Sequence, residues 1–94
     1  MNKKHRNFSK SVTIINELGL HARAAARIAE LAVKAKETIW IIKDGEKIDA
    51  ASIIDILTLG CSKGAAITFT SDNESDFEII NNIVTLTKKG FGEQ

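Results

Sequence analysis

ETIWIIKDGEKID, residues 37–49, reads as two short strands joined by a two-residue turn. Glu37 to Lys43 is β-branched and aromatic, and Glu46 to Asp49 is a shorter partner. Asp44-Gly45 between them is a strong hairpin signal. On the N-terminal side, Ala22 to Lys36 reads as a helix. Ala25, Ile28, Ala29, Ala32 and Ala35 recur on one face at spacings of three and four. That face is nearly all small, which predicts close packing against a sheet. Lys34 and Lys36 sit where a helix end favours cations. Before it, Ser11 to Asn16 (SVTIIN) reads as a strand, and Glu17 to Leu20 as a loop.

On the other side of the hairpin, Ser52 opens a short helix that Gly60 closes. It carries Ile53, Ile54, Ile56, Leu57 and Leu59. Five large apolar residues on two turns exceed what one buried face needs. Ile56 and Leu59 are predicted to face inward, leaving Ile53, Ile54 and Leu57 as an exposed patch of the kind that marks binding surfaces. The other reading puts Ile53 in the core. Ala65 to Thr70 (AAITFT) is a fourth strand. Ser75 with Glu78 fits a capping box, and Phe77, Ile80, Ile83, Val84 and Thr87 recur at helical spacing to about Lys88. The order β-α-β-β-α-β-α predicts an α+β open-faced sandwich: a four-stranded, mostly antiparallel sheet with three helices on one face.

Composition narrows the function. The 94 residues suffice for one small domain. Lys and Arg total 13 against 12 Asp and Glu, so net charge argues for neither nucleic acid nor membrane. The first ten residues are locally basic (Lys3, Lys4, His5, Arg6, Lys10) and read as a flexible arm before a domain over 11–94. A small nucleic-acid-binding protein would rest on that arm alone. The single Cys61 allows no internal disulfide and reads as packed in a turn. His5, His21 and Cys61 lack metal-ligand spacing, so no metal or other cofactor is expected. No run is long enough for a membrane span or apolar enough for a signal peptide, and the expected compartment is the cytoplasm.

The chemistry centres on Gly19-Leu20-His21-Ala22-Arg23-Ala24-Ala25-Ala26-Arg27. A histidine alone at a helix start is more often a surface or capping residue. Here it lies where unpaired N–H groups and the positive helix end favour an anion. Imidazole is a tunable nucleophile near neutral pH. The backbone N–H groups of Ala22 and Arg23, and the Arg23 guanidinium, can hold phosphate oxygens.

Gly19 to Arg23 resembles the active-site signature of the HPr family, the histidine-containing phosphocarriers of the bacterial sugar phosphotransferase system. Lys47 to Gly64 (KIDAASIIDILTLGCSKG) resembles that family's second signature, and Gly90-Phe91-Gly92-Glu93 is similar to the tail of some Gram-positive-type members. The resemblance runs from about Ser11 to Glu93, with two motifs in register. It implies the same fold, and a carrier without small-molecule turnover of its own. It implies that Nδ1 of His21 takes a phosphoryl group from enzyme I and gives it to a histidine of enzyme IIA. It also implies a monomer whose Ile53, Ile54 and Leu57 dock partners. Ser52 matches the serine modified by HPr kinase/phosphorylase in many members; the other reading is a plain helix cap. Two departures stand out. Ala24 occupies the usual proline position, where proline would stiffen the first helical turn. Asp55 stands where some members carry lysine or glycine, and would retune partner choice by charge. An alternative function is an HPr-like regulatory module that docks to a transcription factor or kinase.

Overall fold

A computed structural model describes residues 8–93. The elements are β1 (Phe8–Thr13), α1 (Ala22–Ala32), β2 (Trp40–Lys43), β3 (Glu46–Asp49), α2 (Ile53–Leu59), β4 (Ala66–Ser71) and α3 (Phe77–Lys88). Short 3₁₀ turns cover Glu74–Asp76 and Gly90–Gly92. One sheet runs β1-β4-β2-β3, and every neighbouring pair is antiparallel. This is the open-faced α+β sandwich expected from the order of elements.

The hairpin turn and β3 form as read, but β2 begins at Trp40, three residues later than the reading from Glu37. Asp44 and Gly45 take φ of 51° and 83°, the mirror-image turn that matches strand twist. Alternation then sorts the two sheet faces. Val12, Ile41, Ile67 and Phe69 are buried beneath the helices with Ile28, Ile56, Ile80 and Ile83. The other face carries hydroxyls in cross-strand rows, with Ser9 bonded to Thr70 at 2.9 Å and Ser11 to Thr68 at 2.8 Å. Lys47 covers the Trp40 ring there, 4.7 Å from its centroid.

Several boundaries differ from the sequence reading. β1 covers 8–13, not 11–16, because Phe8 pairs with Ser71 and its ring meets Phe77 at 6.2 Å between centroids. Phe8 to Lys10 therefore belong to the sheet. Lys3, Lys4, His5 and Arg6 lie outside the described residues. α1 stops at Ala32, so Lys34 and Lys36 fall past its end and not on its last turn. The buried Asp76 carboxylate accepts the N–H groups of Lys36 (2.8 Å) and Glu37 (2.9 Å), which draws the chain out of the helix. The small face of α1 is buried in one core with the sheet residues Ile41, Ile67 and Phe69, and the helix backbone comes nearest to α2 and α3. Ser75 and Glu78 form no capping box. Asn73 caps the 3₁₀ turn by accepting from Ser75 N–H at 2.9 Å, and Asp76 holds the N-cap place of α3 without a side-chain cap bond.

Candidate functional site

Two glycines place His21. Gly60 closes α2 in the left-handed conformation (φ 69°, ψ 44°). The Cys61 carbonyl beyond it accepts the N–H of Leu20 at 2.9 Å. Gly19 passes so close that an added Cβ would lie 2.4 Å from that carbonyl oxygen, and its φ is +63°. With Leu20 buried, the backbone entering His21 is fixed to the exit of α2.

His21 caps α1 from an extended backbone (φ −74°, ψ 179°). Its Nδ1 accepts the Arg23 N–H at 3.3 Å, and its Nε2 pairs closely with Oε2 of Glu93. Asn16 Nδ2 bridges Oε1 of Glu93 (3.0 Å) and the Gly19 carbonyl (2.8 Å). Glu93 is thereby joined to the loop before His21 as well as to the ring. Bonding to His21 first, and to Asn16 second, holds the Glu93 carboxyl below the usual carboxylate range against the opposing effect of burial. A carboxylate at Nε2 and a backbone N–H at Nδ1 assign the ring proton to Nε2. The Nδ1 lone pair then faces the start of α1.

The segment 90–93 is shaped for this contact. Gly90, Phe91 and Gly92 all have positive φ (64°, 58° and 76°). Phe91 tolerates it because its ring is buried and its carbonyl accepts from Arg27 Nη1 at 2.7 Å. Arg27 is therefore committed to the fold. Arg23 is exposed, its guanidinium bonded to none of the described residues, and its charge lowers the Glu93 carboxyl further. Ala22 is exposed and Ala24 fully buried, so α1 begins on schedule without a proline.

A family model described as the PTS HPr component phosphorylation site matches residues 8–89. The chain belongs to the HPr family. Phosphocarrier protein HPr of Cupriavidus necator is 33% identical over 84 residues, covering 89% of this chain and 94% of the relative. Phosphocarrier protein NPr of Shewanella violacea is 36% identical over 84 residues, covering 89% and 92%. Among solved structures, HPr-C-His from Thermoanaerobacter tengcongensis superposes with a TM-score of 0.83 at 38% identity, over 93% of this chain and 98% of that one. HPr-family membership makes this a phosphocarrier of the phosphotransferase system.

The second HPr signature folds as α2. Ser52 is its N-cap, with Oγ accepting Asp55 N–H at 3.2 Å. Ile56 and Leu59 are buried, while Ile53 (39%), Ile54 (69%) and Leu57 (38%) are exposed, so Ile53 is not core. α2 packs on α1, yet no hydrogen bond joins its side chains to His21 among the described residues. Cys61 is buried and unpaired, and burial pushes its thiol up. Among the described residues no group of three or more His, Cys, Asp and Glu is arranged for a metal, and no helix is long and apolar enough to cross a membrane.

Sequence reasoning missed Asn16 as a site residue, and it quoted Glu93 only for the likeness of the tail. It also passed over Ile15 and Leu18, which are 51% and 68% exposed on the loop before His21. The glycines on both sides of Phe91 were the available signal, since they mark a chain reversal that has to point somewhere.

Proposed function

We propose that this HPr-family carrier takes a phosphoryl group onto Nδ1 of His21 from the phosphohistidine of enzyme I and passes it to a histidine of enzyme IIA. The observation that carries this reading is the ring's orientation, with Nε2 on Glu93 and the Nδ1 lone pair at the start of α1. In the transfer, Nδ1 attacks phosphorus in line. The donor P–N bond breaks, and its electron pair returns to the donor imidazole. Phosphoryl transfer asks for positioning and charge stabilisation more than acid–base machinery. As the bond to phosphorus forms, the Arg23 N–H leaves Nδ1 for a phosphate oxygen. The Ala22 N–H and the Arg23 guanidinium supply further donors. The side chain of His21 is 26% exposed, which leaves the group open to the next acceptor.

Docking rests on Ile53, Ile54 and Leu57, and the chain works as a monomer. Phosphorylation of Ser52 by HPr kinase/phosphorylase would add charge at the rim of that patch, where the same helix end tolerates phosphate. The test is incubation with enzyme I and phosphoenolpyruvate. The native chain should gain one acid-labile phosphate, and His21→Ala none while remaining folded. Full labelling of His21→Ala overturns the assignment. A native chain that stays unlabelled with a competent enzyme I favours the regulatory docking module instead.

A further inference from the structure

We propose that Asn16 is a positioning residue for phosphoryl transfer, acting through the peptide between Gly19 and Leu20 to hold His21 at the start of α1. The inference rests on His21 being the carrier. It gives a role to a side chain that lies outside both sequence signatures.

Three observations carry it. The first is a peptide gripped at both ends. Asn16 Nδ2 donates to the Gly19 carbonyl at 2.8 Å, and the Leu20 N–H donates to the Cys61 carbonyl at 2.9 Å. The Asn16 carbonyl closes the same turn by accepting the Gly19 N–H at 3.1 Å. The second is the residue at the joint. Gly19 holds φ of +63°, and a glycine has no Cβ to oppose rotation of the peptide that follows it. The bonds from Asn16 and to Cys61 oppose that rotation, and only the first comes from a side chain. The third is a polar group kept where it is unfavourable. Asn16 is 4% exposed, and its Oδ1 is buried with no hydrogen-bond partner among the described residues. An orphaned buried acceptor destabilises the fold. The amide is kept in spite of it, and what it holds is the approach to His21.

One residue separates that peptide from the reacting ring. Leu20 is buried, so rotation of the Gly19–Leu20 peptide passes on to the backbone of His21. His21 caps α1 from an extended backbone, with Nδ1 accepting the Arg23 N–H at 3.3 Å. A tilt there swings Nδ1 away from the N–H groups that meet the phosphoryl oxygens. In-line attack needs the reacting atoms about 3–3.5 Å apart and aligned, so a misplacement of about 1 Å slows it severely. Asn16 moves no proton and takes no charge in the step. It limits how far the nucleophile strays. Docking is separate, because Ile53, Ile54 and Leu57 lie on α2. Loss of the Asn16 amide therefore slows transfer inside the complex and leaves formation of the complex nearly untouched.

The test uses the full chain, native and as Asn16→Ala and Asn16→Asp, in rapid-quench single turnovers with phospho-enzyme I as donor. Asn16→Asp keeps the size, but a carboxylate cannot donate to the Gly19 carbonyl. In both variants the saturated transfer rate should fall about tenfold, the scale of one buried hydrogen bond, with half-saturation within about twofold of native. Asn16→Ala is also made in a Glu93→Ala background, where the second bond of the Asn16 amide is already gone. Transfer should slow there by a similar factor. No further slowing would mean that Asn16 acts only through Glu93, which overturns the proposal. A merely structural role would lower the melt and leave the saturated rate of the folded protein at its native value, which overturns it too. So does slowing that appears in half-saturation alone. Rates are read well below the melts, and if one variant does not fold the other decides. Failure of His21→Ala to lose label defeats the underlying reading, whatever the Asn16 variants do.

Discussion

At the scale of single residues, charge placed within bonding distance does more than charge in total. The chain is nearly neutral, yet Glu93 sits below the usual carboxylate range because His21 and Asn16 donate to it. An ordinary value in the unfolded chain and a lowered one in the fold means the contact favours the fold above the ordinary carboxylate range. That contribution fades as pH falls through the lowered value. Carboxyl carbon NMR should place the Glu93 midpoint below that of an exposed glutamate, and His21→Ala should raise it. The Glu17–Lys63 pair (2.6 Å) follows the same sign, since the Lys63 bond lowers the Glu17 carboxyl. Both groups lie on an open surface, where such pairs add little. Arg23→Lys is expected to keep the melting temperature and slow uptake from phospho-enzyme I. Lysine retains the charge but not the planar pair of donors. Equal rates would mean guanidinium geometry is immaterial.

At the scale of elements, α2 separates two tasks on one short helix. Ile56 and Leu59 serve the core, and Ile54 is two-thirds exposed. Ile54→Glu should change stability by less than about 0.5 kcal/mol. It should weaken binding to enzyme I by about tenfold or more, because interface energy concentrates in a few desolvated contacts. Calorimetric titration beside thermal melts checks both halves. Ser52→Ala removes the bond to Asp55 N–H and should cost about 1 kcal/mol. The loop before α1 is less forgiving. Gly19→Ala forces a Cβ against the Cys61 carbonyl in left-handed backbone, which should cost about 3 kcal/mol by urea unfolding. Native stability for that variant would show that the loop can shift.

At the scale of the molecule, one buried carboxylate ties distant segments together. Asp76, before α3, accepts from Lys36 and Glu37 on the link between α1 and β2, and from the Ser71 hydroxyl (3.2 Å). Asp76→Ala strands two backbone donors and should cost about 3 kcal/mol. For a domain of this size that lowers the melting temperature by about 15 °C. His21→Ala removes a cap bond and the surface contact with Glu93, and should lower the melt by only a few degrees, well short of Asp76→Ala. A small shift for Asp76→Ala would mean water replaces the carboxylate at those amides.

Local physics made much of this chain legible without coordinates. Asp44-Gly45 specifies its own turn, Ser52 and Gly60 specify the ends of α2, and helical spacing assigns Ile56 and Leu59 to the interior. Each depends on residues within a few positions of one another. The bounds of β1 and the early end of α1 did not follow, because Phe8 answers to Phe77, and Lys36 answers to Asp76 forty residues on. The candidate site divides in the same way. His21, its place at a helix start and the exposed Arg23 are read from nine consecutive residues. The proton on Nε2 and the partnership of Asn16 with Glu93 exist only in the fold. A hydrogen bond across 72 residues leaves no local pattern, and it forms only when the turn at Gly90–Gly92 returns the chain to the loop before α1.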